Sequence, residues 1–148
     1  MKIETKYFGE MEVEEKDCID FPTGLPGFES YHSFVLLPVD KLGTYYALQS
    51  VEEAGLSLIV TNPYLFYKDY EFDIDEEDLK FEHPEDIAVY NVVTLRDPFE
   101  DSTLNLQGPI VLNTAQGIAN QLILNHPDYQ TKHPLIQPVK GGESYARS

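Results

Sequence analysis

The sequence predicts an all-β fold: a small antiparallel β-barrel-like domain with short helical excursions. Three observations carry this. Apolar, β-branched and aromatic residues come in short runs that either alternate or stay continuous, as strands do. Gly, Pro, Asn and Asp punctuate the chain every ten residues or so. No stretch keeps a long helical period. With 148 residues, 42% of them apolar, the chain can bury one sizeable core. It shows no internal repeat and no linker that would split it. Closure into a barrel also explains how so many apolar strands avoid exposed edges.

The elements follow in order. Ile3, Thr5 and Tyr7 alternate with Lys2, Glu4 and Lys6, a strand with one buried face. A turn at Gly9-Glu10 leads to Met11–Glu14, and the two runs form a first hairpin. Cys18–Phe21 is a third short strand, and its thiol is buried and inert. Pro22–Glu29 is a structured turn that tucks Leu25 and Phe28 into the core. It lacks the Gly-Lys-Ser/Thr ending of a phosphate loop. Phe34–Leu37 is a buried strand that Pro38 ends. Tyr45–Ser50 and Leu56–Asn62 follow, separated by the loop Val51–Gly55. Asn62-Pro63 stops the latter strand, because Pro donates no N–H and disfavours the helical region for the residue before it. Pro63–Tyr67 reads as a helical turn with Pro at its first position. Ile74–Leu79 reads as a short acidic helix. Ile87–Leu95 is the longest strand, broken by Asp97–Asp101. Leu104–Leu106 and Ile110–Asn113 bracket Gly108-Pro109, and Ala119–Leu124 is the last strand. Beyond His126 the apolar pattern fades. The organisation expected is one domain over 1–135 and a flexible tail over 136–148.

Much chemistry is missing. His32, His83, His126 and His133 are scattered, and no two stand four apart as a metal-binding pair. There is no Gly-x-Ser-x-Gly, no Gly-x-Gly-x-x-Gly, and no calcium-loop spacing in the acidic run. Carboxylate pairs can be picked at will from so acidic a chain, so none is informative. The reading is a protein with no catalytic residues, no metal and no cofactor. The net charge of −16 repels nucleic-acid backbones and anionic lipid alike, and favours basic protein partners or metal ions. A lone cysteine, with no hydrophobic signal segment and no apolar run of membrane-spanning length, points to the cytoplasm.

What remains is a docking surface. Between Glu71 and Asp86 lie nine carboxylates and one lysine. Such a run is ordinarily a solvated, solubilising face. Here Phe72, Ile74, Leu79 and Phe81 interleave the acids, and Tyr64, Phe66, Tyr67 and Tyr70 come directly before them. Aromatic anchors beside a one-signed field suit protein recognition. The partner-binding set is Tyr70, Glu71, Phe72, Asp73, Asp75, Glu76 and Asp78. In an extended 71–75 stretch, Glu71, Asp73 and Asp75 point outward while Phe72 and Ile74 pack inward. Tyr70, ahead of the row, is then the exposed anchor. Two further acid clusters, Glu10–Asp17 and Asp97–Asp101, lie elsewhere in the chain.

Four stretches in this order resemble the FliW family of bacterial flagellar assembly factors: Phe21–Glu29, Ala47–Ser50, Asn62–Phe66 with Tyr70–Phe72, and Asn105–Asn113. The resemblance runs from Ile3 to about Leu135. It departs at Gly108, where the family more often has Ala, and in Thr114–Ala119, which lacks an expected basic residue. The resemblance implies a cytoplasmic, non-enzymatic barrel-like protein. Such proteins bind the translational repressor CsrA and relieve its block on flagellin mRNA. They bind flagellin as the alternative partner, which couples flagellin translation to secretion. A dedicated flagellin chaperone and a small-ligand-binding barrel are the alternative readings.

Overall fold

A computed structural model describes residues 1–136. Its strands are β1 (Lys2–Thr5), β2 (Gly9–Glu12), β3 (Ile19–Asp20), β4 (Ser33–Pro38), β5 (Tyr45–Ser50), β6 (Ser57–Thr61), β7 (Ile87–Thr94), β8 (Thr103–Leu104), β9 (Ile110–Asn113), β10 (Ile118–Gln121) and β11 (His133–Pro134). Strands β1 and β2 form a separate antiparallel hairpin. The rest make one sheet in the order β11-β8-β7-β6-β5-β4-β3-β10-β9, and a further β7–β9 pairing closes it on itself. The fold is therefore barrel-like and nearly all β. Its pairings are antiparallel except β3–β10, which meet in parallel at a single pair, Ile118 and Asp20.

Alternation along the strands separates inside from outside. Phe21, Phe34, Leu48, Val60, Ile110 and Leu112 fill the interior with Leu25. Phe21 and Phe34 meet edge-on at 5.2 Å between centroids, a favoured aromatic geometry. Only about 10 Å³ of free volume is left among these side chains, about enough for one water molecule at most. The barrel is a packed core and has no room for a small ligand.

The outer wall is covered in sectors. The hairpin lays Ile3 and Val13 over Val35, Leu37 and Ala47. The segment after β6 packs Phe66, Tyr67 and Tyr70 against Val93, Leu104, Leu106 and Leu135. A strap over residues 71–80 lays Phe72, Ile74 and Leu79 on Val111, Leu122 and Val89.

Several expectations change. The first turn is Lys6–Phe8, and Gly9 opens β2 at φ 67°. Thr5 takes over the turn: its hydroxyl donates to Gly9 O at 2.7 Å and accepts from Phe8 N–H at 2.9 Å. Tyr7, past the last ladder pair, is exposed, whereas Ile3 and Thr5 are buried. Cys18 is half-buried, because the 3-10 turn Glu15–Asp17 lifts the chain off the sheet before β3 starts. Leu25 is buried as expected, but Phe28 is exposed: a Leu25–Phe28 bridge closes a turn too tight to send both side chains inward. Pro38 lies within β4, opposite Tyr46. Residues 74–79 make one turn, in which Asp78 and Leu79 N–H both donate to Asp75 O, and no helix. A single hydrogen-bonded turn has no cooperative gain to extend it. Strand β11 and the 3-10 turns at Pro84–Asp86 and Phe99–Asp101 have no counterpart in the sequence reading. Apart from Ile136, which is exposed, the tail expected over 136–148 lies outside the described residues.

Gly24 sits at φ 71°, and a Cβ there would lie 2.6 Å from Glu29 Cα. Gly27 sits at φ 87° with open space around it. Gly24→Ala should lose about 1–3 kcal/mol of unfolding free energy from strain, and Gly27→Ala measurably less. Urea denaturation of the two variants checks this, and equal losses would remove the backbone contact as the cause.

Candidate protein-docking surface

Asn62 and Pro63 begin the site. The Asn62 side chain accepts from Tyr64 N–H at 2.9 Å, and Pro63 opens a 3-10 turn through Leu65. That cap turns the chain away from β6. It leaves Tyr64 and Leu65 exposed, at 39% and 59%. Beside them is an open depression of about 620 Å³, lined by Tyr64 to Tyr70, Leu106, Asp128, Tyr129 and His133.

Tyr70 is its floor. The expectation of an exposed anchor fails here, since Tyr70 is only 4% exposed. Its hydroxyl donates to Leu106 O at 2.6 Å and accepts from the Asn91 amide at 3.2 Å. The ring meets Tyr129 at 4.8 Å, Phe72 at 5.3 Å and Tyr64 at 5.9 Å between centroids. Burial pushes the Tyr70 phenol well above its ordinary pKa, and raises those of Tyr64 and Tyr67 also. Burial lowers the pKa of His133, whose ring stands edge-on to Tyr67 at 5.0 Å. At neutral pH the phenols and this imidazole are therefore uncharged. The exposed aromatic of the site is Tyr64, with Leu65 beside it. Tyr129 and His133 come from the stretch where the apolar pattern fades. The only sign of them in the sequence is an isolated Tyr between His-Pro pairs.

From this floor the strap runs along the barrel. Glu71, Asp73, Asp75 and Glu76 are exposed, Phe72 and Ile74 half-buried, and Asp78 half-buried. The outward row of acids over an inward apolar pair is thus present without any strand ladder. Asp78 differs from the others because its carboxylate accepts from Asp75 N–H at 3.2 Å, closing the turn. Side chains tie the strap to the body. The Tyr129 hydroxyl accepts from Glu71 N–H at 3.0 Å and reaches Glu71 O at 3.3 Å. The Asn120 amide donates to Asp78 O at 3.0 Å, and the Asn113 amide to Lys80 O at 2.9 Å. Among the described residues, no cation pairs with a strap carboxylate. Alternate acids on extended chain stand roughly 7 Å apart, so the row is a one-signed field with an apolar depression at one end. The Glu10–Asp17 cluster lies on the hairpin side and Asp97–Asp101 follows β7, so the three acid clusters sit on different elements. Among the described residues no group of His, Cys, Asp and Glu is placed to hold a metal ion. None of their helices is long and apolar enough to cross a membrane.

Comparisons with known proteins agree with one another. The family model described as FliW protein matches residues 2–135. The chain is 42% identical over 147 residues to the flagellar assembly factor FliW of Bacillus subtilis, covering 97% of this chain and 99% of that one. It is 41% identical over 140 residues to the flagellar assembly factor FliW of Clostridium kluyveri, covering 93% and 97%. A crystal structure of the flagellar assembly factor FliW superposes with a TM-score of 0.86 at 40% identity, covering 95% of this chain and all of the other.

Tyr129→Phe removes the acceptor of Glu71 N–H and leaves the ring in place. Hydrogen exchange at the Glu71 amide should then quicken, with a stability loss of about 0.5–1.5 kcal/mol. Unchanged exchange at Glu71 would mean that Tyr129 does not hold the strap.

Proposed function

The chain belongs to the FliW family, and from that premise we propose that this flagellar assembly factor binds and antagonises the repressor CsrA and takes flagellin as its alternative partner. The protein acts without catalysis or cofactor, in the cytoplasm, and touches neither nucleic acid nor membrane. The observation that carries the reading is the acidic row of the strap, which no cation of the described residues pairs. CsrA binds RNA, so its surface carries the basic groups such a row attracts. Glu71, Asp73, Asp75 and Glu76 face that surface. Asp78 shapes the turn, Phe72 supports the row from below, and Tyr70 holds the floor on which Tyr64 and Leu65 stand exposed. The aromatic depression beside the row suits an apolar segment of flagellin, as burial of rings and aliphatic groups supplies affinity. A protein free of one partner is then available to the other.

Single exposed ion pairs are worth about 1 kcal/mol or less, so one charge removal should do little. Reversing three adds repulsion at each position. Glu71→Lys, Asp73→Lys and Asp75→Lys combined should keep the fold, seen by circular dichroism, and lose CsrA binding by at least about tenfold, that is about 1.4 kcal/mol. A folded triple variant that binds CsrA like the wild type would reduce the row to a solubilising face.

Affinity of the wild type for CsrA should also fall with rising salt, mostly through a slower association rate. Stopped-flow measurements at low and high ionic strength test it, and an unchanged rate counts against steering by the strap.

A further inference from the structure

We propose that the open edge of β4 is a second docking site, which takes an extended partner segment of alternating apolar and basic side chains as an added strand. The register shows the edge. Val51 N–H donates to Ser33 O at 2.9 Å and Val39 N–H to Tyr45 O at 3.1 Å, so residues 33, 35, 37 and 39 turn their backbone polar groups to β5. Antiparallel pairing then turns those of Phe34, Leu36 and Pro38 to the other side. Phe34 finds Ile19 of β3 there. Leu36 and Pro38 find no strand, because the chain before Ile19 is the 3-10 turn Glu15–Asp17. Among the described residues, the N–H and C=O of Leu36 and the C=O of Pro38 are left at this edge.

The edge borders a groove of about 500 Å³. Its floor is apolar, with Val13, Leu36 and Leu112, and the half-buried Cys18 lies in its wall. Its rim carries Glu12, Glu14 and Asp17, and one cation, Lys16, already held by Glu14 at 3.3 Å. An added strand places successive side chains on opposite faces. Apolar ones enter the floor and basic ones meet the rim, which selects the occupant. A second copy of this chain is a poor occupant, since pairing two such edges brings acidic rims together in a chain of net charge −16. Pro38, which donates no N–H, limits self-pairing further.

The test uses the full chain and a fluorescent acetyl-Lys-Val-Lys-Val-Lys-Val peptide, with its Glu-Val counterpart as control. Saturating Lys-Val peptide should slow hydrogen exchange of the Leu36 amide by about tenfold or more, as a new ladder bond does. Glu14→Lys with Asp17→Lys should weaken peptide anisotropy binding by at least about tenfold, while the strap triple variant keeps it within about twofold. Unchanged Leu36 exchange at saturation, equal binding of the Glu-Val peptide, or loss of binding only in the strap variant would each overturn the proposal. So would Leu36 protection that rises with protein concentration in the absence of peptide, which would mark the edge as a self-association surface. The wild-type exchange measurement stands even if the groove variant fails to fold. Loss of CsrA binding by the strap variant is a separate result, so either reading can fail alone.

Discussion

One buried hydroxyl fixes the layout of the face that carries the strap. Tyr70 donates to Leu106 O and accepts from Asn91, and the same Asn91 amide donates to Asn105 O at 2.7 Å. These groups lie where β8 gives way to β9 along one edge of β7. Over Asn105–Pro109 the ladder is interrupted and carbonyls lose their strand partners. Buried carbonyls left bare would cost on the order of 1–3 kcal/mol each. Asn91 and Tyr70 satisfy them from the outer face of β7, and that holds Tyr70 down against the sheet. The aromatic depression and the start of the strap are consequences of that position.

Strand β7 matters for the same reason. Its second half pairs with β6 on one edge, while β8 and β9 succeed one another along the other. The β9 pairing closes the sheet, and closure removes edges that would otherwise invite association. The weakest point of the ring is β3, two residues long, where the parallel contact to β10 is a single pair. The open edge of β4 exists because β3 stops short there.

The strap packs on one side and carries charge on the other. Its apolar side chains cover the outer face of β7, β9 and β10. Glu71, Asp73, Asp75 and Glu76 are exposed on the other side, and no cation of the described residues neutralises them. Burial on one side orders the backbone, so the charges on the other form a positioned row instead of a mobile tract. Anchoring through Tyr129, Asn113 and Asn120 adds to this, because each side chain satisfies a strap backbone group that no strand could pair.

The sequence by itself determined whatever depends on neighbours along the chain. Strand β5 spans Tyr45–Ser50 in both sequence and structure, because its aromatic and aliphatic run lies between turn residues that bound it on each side. Asn62-Pro63 is both stop and cap, a matter of local geometry. Acids outward and Phe72 and Ile74 inward follow from the alternation alone. Tertiary structure decided the rest. Tyr is as comfortable buried as exposed, and the partners that bury Tyr70 lie 21 and 36 residues away. Residues 74–79 carry good helix-start chemistry, but contacts with Leu122 and Val111 hold the strap open and win over local propensity. Tyr129, His133 and β11 have no pattern of their own, since a two-residue strand is ordered only by the edge of β8 that receives it. Short-range preference thus wrote the elements, and long-range pairing chose which side chains the surface keeps.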